Sequence, residues 1–179
     1  MITDQTDYPV RYPAIEPVAL RAIAGSMLGY HRSLHSDALR MTAKLRPSLQ
    51  VSGREHIPAA GPCLITANHY SRPGFPTAWI GLSISAVIPR EVTWITVTEW
   101  VYPGQLREHI LRPVMRFALG GIRRGYDFLA MPTMVPGYAS SLQRADGVRK
   151  VMHAVRQNPN IVLGLTPEGM DFPGGSLGT

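Results

Sequence analysis

Gly61-Pro62-Cys63-Leu64-Ile65-Thr66-Ala67-Asn68-His69-Tyr70-Ser71-Arg72-Pro73-Gly74-Phe75 is the stretch on which the reading of this chain turns. A Gly-Pro breaker opens a short apolar run, Cys63 to Ala67, of the kind that forms a buried strand. Asn68 and His69 follow at once, and Pro73-Gly74 breaks the chain again. In α/β folds the ends of strands hold catalytic groups, because the sheet is stiff there while the next loop is free to vary. A histidine at such a point is either a base held at a fixed position or a cap on the strand.

Working outward, Leu49 to Gly53 reads as a preceding strand and Pro58 to Pro62 as the turn between the two. Thr77 to Val87 is a short apolar helix, with Trp79 a core residue. Glu91 to Thr98 is the strand richest in β-branched residues. Leu106 to Leu119 reads as a helix, kinked or started at Pro113 and stopped by Gly120-Gly121. Ile122 to Arg124 would then be a short strand or its exit, and Tyr126 to Tyr138 an irregular connector. Asp146 to Gln157 is a helix that turns Val148, Val151, Met152 and Val155 inward. Ile161 to Leu165 is a buried strand that delivers Thr166-Pro167-Glu168-Gly169. Strands alternating with helices argue for an α/β sandwich.

Upstream, Met1 to Pro17 reads as an extended arm. Val18 to Leu45 is helical, with Leu20, Ile23, Ala24, Met27, Leu34, Ala38, Met41 and Leu45 on one face and Arg40 and Lys44 opposite. Gly25 and Gly29 leave open whether this is one interrupted helix or two. Its apolar face either lies on a membrane surface or packs on the rest of the chain. The expected organisation is an N-terminal arm and amphipathic segment over residues 1–48 and an α/β domain over 49–179. His31 and His35 stand one helical turn apart, but no third ligand or intervening glutamate makes a metal motif of them.

At 179 residues the chain can bury a real core, and 45% apolar against 17% charged residues excludes a disordered protein. No stretch approaches the roughly 18 uninterrupted apolar residues that a spanning helix needs. The N-terminus, with Asp4 and Asp7, lacks the basic-then-apolar pattern of a secretory signal. Cys63 is the only cysteine, which excludes an internal disulfide and fits a reducing, cytoplasmic compartment. Eighteen basic against twelve acidic residues leave a net charge of +6, suited to an anionic membrane or to nucleic acid. No nucleic-acid-binding motif accompanies the charge, so no nucleic-acid partner is expected.

Ile65-Thr66-Ala67-Asn68-His69 resembles the first motif of the glycerolipid (lysophosphatidate-type) acyltransferases, which set an Asn-His pair after a strand. Thr166-Pro167-Glu168-Gly169 is similar to that family's Phe-Pro-Glu-Gly-Thr-Arg block. Val51-Ser52-Gly53-Arg54-Glu55-His56-Ile57-Pro58 resembles its lead-in strand and turn, and Gly120-Gly121-Ile122-Arg123-Arg124 its Gly-x-x-Phe-Ile-x-Arg block. The similarity runs from about Leu49 to the last residue. It implies an α/β fold with a mixed sheet flanked by helices, preceded here by the N-terminal helical segment. The family continues through at least one more strand and helix, so the expected domain is partial, incomplete at the C-terminus. Two positions depart from the pattern: Gly74 stands where the family has an aspartate, and Met170-Asp171 replace Thr-Arg.

The resemblance implies transfer of a fatty acyl group from acyl-coenzyme A or acyl-carrier protein to a lysophospholipid-like or other lipid hydroxyl. His69 would be the catalytic base. Glu168 and Gly169 would position the acceptor, and Arg123, Arg124 and Arg72 would line the site and meet an anionic headgroup. No cofactor or metal is implied, the acyl donor being a co-substrate. The protein would sit at the inner face of the membrane as a peripheral protein. With Gly74 in place of the aspartate, the groups that could orient His69 are Glu99, Asp127 and Asp171. The alternative is a non-catalytic relative that binds acyl chains or lipid. Gly174-Gly175-Ser176-Leu177-Gly178 fits a hydrolase nucleophile elbow in letters only, since no strand precedes it.

Overall fold

Three helical crossovers fix the architecture, because each returns the chain to the same end of the sheet before the next strand begins. A computed structural model describes residues 10–69, 75–99, 105–133 and 137–167. Within them β1 (Cys63–Thr66), α3 (Ala78–Val87), β2 (Val92–Val97), α4 (Gln105–Tyr126), β3 (Leu129–Met131), α5 (Ser141–Gln157) and β4 (Val162–Leu165) alternate, after α1 (Glu16–Met27) and α2 (Leu34–Thr42). The strand order is β1-β4-β2-β3. Every pairing is parallel, with Cys63 opposite Val162, Val162 opposite Val92, and Ile95 opposite Leu129. The α/β class is as expected; the mixed sheet is not. Residues 49–53 also form no strand: Gly53 adopts a left-handed φ of 76° before a 3₁₀ turn at Arg54–His56, and Leu49 and Val51 stay exposed.

One face of the sheet packs on α3. The Trp94 ring lies over Gly164, where an added Cβ would stand 2.7 Å from it, and its Nε1 donates to Ser85 Oγ at 3.0 Å. Trp79 of α3 is fully buried and meets Tyr12 of the N-terminal arm at 5.3 Å between ring centroids. The other face meets α5, where Gly147 sits against Met131 and Pro132. Residues two apart along a strand share a face, so Met131 and Ile95 lie opposite Trp94. That close approach at Gly147 corrects the inward face expected for α5: Val148 and Met152 are exposed, and Val151 and Val155 half-buried.

The segment 18–45 is two helices. Gly29, at φ 74°, ends α1, with Tyr30 N–H donating to the Gly25 carbonyl at 2.8 Å and Gly29 N–H to Ser26 at 3.3 Å, a Schellman closure. Ser33 caps α2 by accepting from Ser36 N–H at 2.9 Å. The expected apolar face holds in α2, where Leu34, Ala38 and Met41 are buried with Leu45. In α1 only Ile23 of that face packs inward: Leu20 and Met27 are exposed and Ala22 is buried instead. The reason is α4, which seats α1 on Gly121 and Gly125. A Cβ on Gly121 would lie 2.9 Å from Ile23, and one on Gly125 2.7 Å from the Ala22 carbonyl oxygen.

Those glycines serve close packing, not termination, so α4 runs through Gly120-Gly121 and absorbs the strand expected at Ile122 to Arg124. It ends at Asp127, itself left-handed at φ 54°, with Phe128 N–H donating to the Arg123 carbonyl at 2.9 Å. β3 then forms inside what reads as a connector. No helix among the described residues is long and apolar enough to cross a membrane.

Candidate functional site

All four strands point their C-terminal ends the same way, and open α/β sheets bind their ligands at that edge. β1 is fixed at both ends. Before it, Gly61 turns at φ 80° and its N–H donates to Asn160 Oδ1 at 3.0 Å, while Arg90 donates to the carbonyls of Gly61 at 2.8 Å and Pro58 at 3.1 Å. After it, Ala67 N–H donates to the Leu165 carbonyl at 3.1 Å, extending the β1–β4 ladder past Thr66. His69 therefore follows the last ladder bond by two residues and is half-buried. Cys63, at the opposite end of β1, packs against the core.

The second group of expected residues sits on α4. Arg123 is half-buried and donates through Nη1 to the Val97 carbonyl, at the end of β2, at 3.3 Å. Counting five residues on from Cys63, Val162 and Val92, which lie abreast, brings Asn68 level with Val97. Arg123 thus reaches the same sheet edge as His69, with β4 between them. Two strand spacings separate β1 from β2, about 10 Å. Burial, then repulsion from Arg124 and Arg116, pull the Arg123 pKa below the ordinary arginine value. Arg123 and Arg124 line an open cavity of about 300 Å³ with Gly120, Asp127 and Phe128. Part of this charge answers a local need, since cations in a last helical turn complement the helix dipole.

His69 thus lies just past the C-terminal end of β1, and Arg123 and Arg124 line one cavity. Arg72, Gly74, Glu168, Gly169 and Asp171 lie outside the described residues. The other two carboxylates considered for orienting His69 already have partners. Glu99 accepts from Arg112 Nε at 2.7 Å with Arg116 at 3.8 Å, and Asp127 pairs with His31 at 2.8 Å. His35 turns elsewhere, its Nδ1 2.7 Å from the Ser85 carbonyl. Among the described residues no three His, Cys, Asp or Glu side chains gather as a metal site.

The sequence reading missed the Glu99–Arg112–Arg116 group, although its arginines recur at helical spacing on α4 and a carboxylate follows β2. It also missed a buried network. Arg32 grips Asp37 with two bonds of 2.9 and 2.7 Å, and the Tyr126 hydroxyl donates to Asp37 Oδ2 at 2.8 Å. No local pattern signals a contact across 89 residues. No family model matches this sequence, and neither a curated protein nor a solved structure matches it.

Proposed function

We propose that the protein transfers a fatty acyl group from acyl-coenzyme A or acyl-carrier protein to the hydroxyl of a lysophospholipid-like or related lipid. The observation that carries this reading is His69 two residues beyond the last ladder bond of β1, at the same sheet edge as Arg123. A base at the end of β1 and an arginine bonded to the end of β2, two strand spacings away in the sheet (about 10 Å), suit an acceptor with a reacting hydroxyl and an anionic headgroup. His69 takes the hydroxyl proton as the oxygen attacks the thioester carbonyl. The tetrahedral intermediate then collapses, the C–S bond breaks, and the imidazolium returns its proton to the departing thiolate. The products are an ester and a free thiol, with no acyl-enzyme. Arg123 and Arg124 hold the headgroup, and the family resemblance adds Glu168, Gly169 and Arg72 to the acceptor side.

The test is turnover of radiolabelled acyl-coenzyme A, and in parallel acyl-carrier protein, over a panel of lysolipids. Wild-type protein should form labelled ester, and His69→Ala should lower the rate by about a hundredfold or more. Equal rates in the two proteins would end the proposal. Gly74, where the family carries an aspartate, favours a second reading, a non-catalytic binder of acyl chains or lipid. Saturable lipid binding by both proteins with no product from either selects it.

A further inference from the structure

α4 has a side that nothing among the described residues covers. Ile110, Val114 and Phe117 precede Gly121 at helical spacing, so they continue toward the helix N-terminus the face on which α1 is seated. They are 56, 59 and 56% exposed, with Leu111 beside them at 41%. α1, packed on the same helix, turns Leu20, Met27 and Leu28 outward at 64, 66 and 73%. Large apolar side chains exposed on two helices packed against each other mark an interaction surface, not the ordinary scatter of exposed leucines.

We propose that this α4–α1 face is where the protein lies on an anionic lipid bilayer. Charge decides the occupant. α4 carries five arginines against one glutamate, and the chain is +6 overall. Arg116 is exposed, as is Arg124, and arginines around an interfacial helix keep their heads in the headgroup layer while apolar side chains enter the acyl boundary. A second copy of the chain would set the same arginines against each other, whereas anionic lipid attracts them within about one Debye length, roughly 8–10 Å. The helix is about 33 Å long and lies along the surface. The inference rests on the acceptor being a lipid, since a bilayer is where such a substrate is met, but it does not depend on catalysis.

Vesicle flotation tests it, with phosphatidylcholine alone or mixed with phosphatidylglycerol, at low and high salt. The full chain and His69→Ala should float equally with the mixed vesicles, less at high salt, and poorly with phosphatidylcholine alone. Val114→Glu/Phe117→Glu should lower partitioning at least about tenfold. Leu20→Glu/Met27→Glu should lower it as well, from the other helix, and both variants should keep the wild-type melting curve. Binding that ignores both pairs of substitutions, or the absence of binding to anionic vesicles, overturns the proposal. A wild-type dimer that either variant turns into a monomer overturns it in favour of a second copy. Turnover of detergent-dispersed acceptor separates the two readings. If both face variants keep wild-type turnover there but do not float, the face is assigned. If His69→Ala keeps turnover while the floating pattern holds, the acyl-transfer reading fails and the docking face stands.

Discussion

Asp37 is the one charged side chain among the described residues that is buried, at 4% exposure. Burial works against its ionisation, but two bonds from Arg32 and one from Tyr126 outweigh it and hold the carboxyl below the usual aspartate range. The same burial and the adjacent Asp37 push the Tyr126 phenol upward, so it remains the donor. A pKa lower in the folded than in the unfolded state adds stability that is complete above the unfolded value, near 3.9, and is lost as pH falls through the folded one. Asp37→Asn should therefore destabilise the protein by about 3 kcal/mol at neutral pH, by leaving Arg32 without its counter-charge. The gap from wild type should hold down to about pH 5 and close below about pH 4 in urea melts taken across that range. A gap that widens on acidification would contradict this account.

At the scale of elements, glycine explains both the agreement and the surprises. Intrinsic propensity favours alanine over glycine in a helix by about 1 kcal/mol, so Gly125→Ala in an unpartnered helix would stabilise. Here the new Cβ meets backbone, the Ala22 carbonyl oxygen at 2.7 Å, which has no rotamer to give. We expect a net loss of about 1–3 kcal/mol, read from the shift of a denaturation midpoint. Gly164→Ala should cost a similar 1–3 kcal/mol, because the Trp94 indole is held by Ser85 and cannot swing aside. A midpoint unchanged in either variant would mean that the helices or the ring move apart freely. These contacts explain why Gly120-Gly121 reads as a helix stop in sequence and is none in the fold. A glycine placed for close approach carries the same letter as one placed for a turn.

For the whole molecule, residues 10–48 contribute to the core. Ala22, Leu34, Ala38, Met41 and Leu45 are buried in it, Arg32 N–H donates to the Gly125 carbonyl at 2.7 Å, and Asp37 bonds Tyr126. A chain starting at residue 49 should lose cooperative unfolding, and a sharp thermal transition in that fragment would show the α/β part to be self-sufficient. Elements whose information is local are legible in the order of the residues alone. The apolar runs of β1, β4 and α3 and the β-branched run of β2 stand within one or two residues of where they are read, and the apolar face read over residues 34–45 is kept in α2. That order also marked His69 as a strand-end histidine and Arg123 and Arg124 as neighbouring cations. Only the tertiary structure decided the insertion of β4 between β1 and β2, the parallel sense of every pairing, the outward turn of α1 and the carboxylate that Tyr126 and Arg32 share. The reason is physical: these depend on which surfaces meet across dozens of residues, and hydrophobic burial, the main force that joins them, carries no direction along the chain.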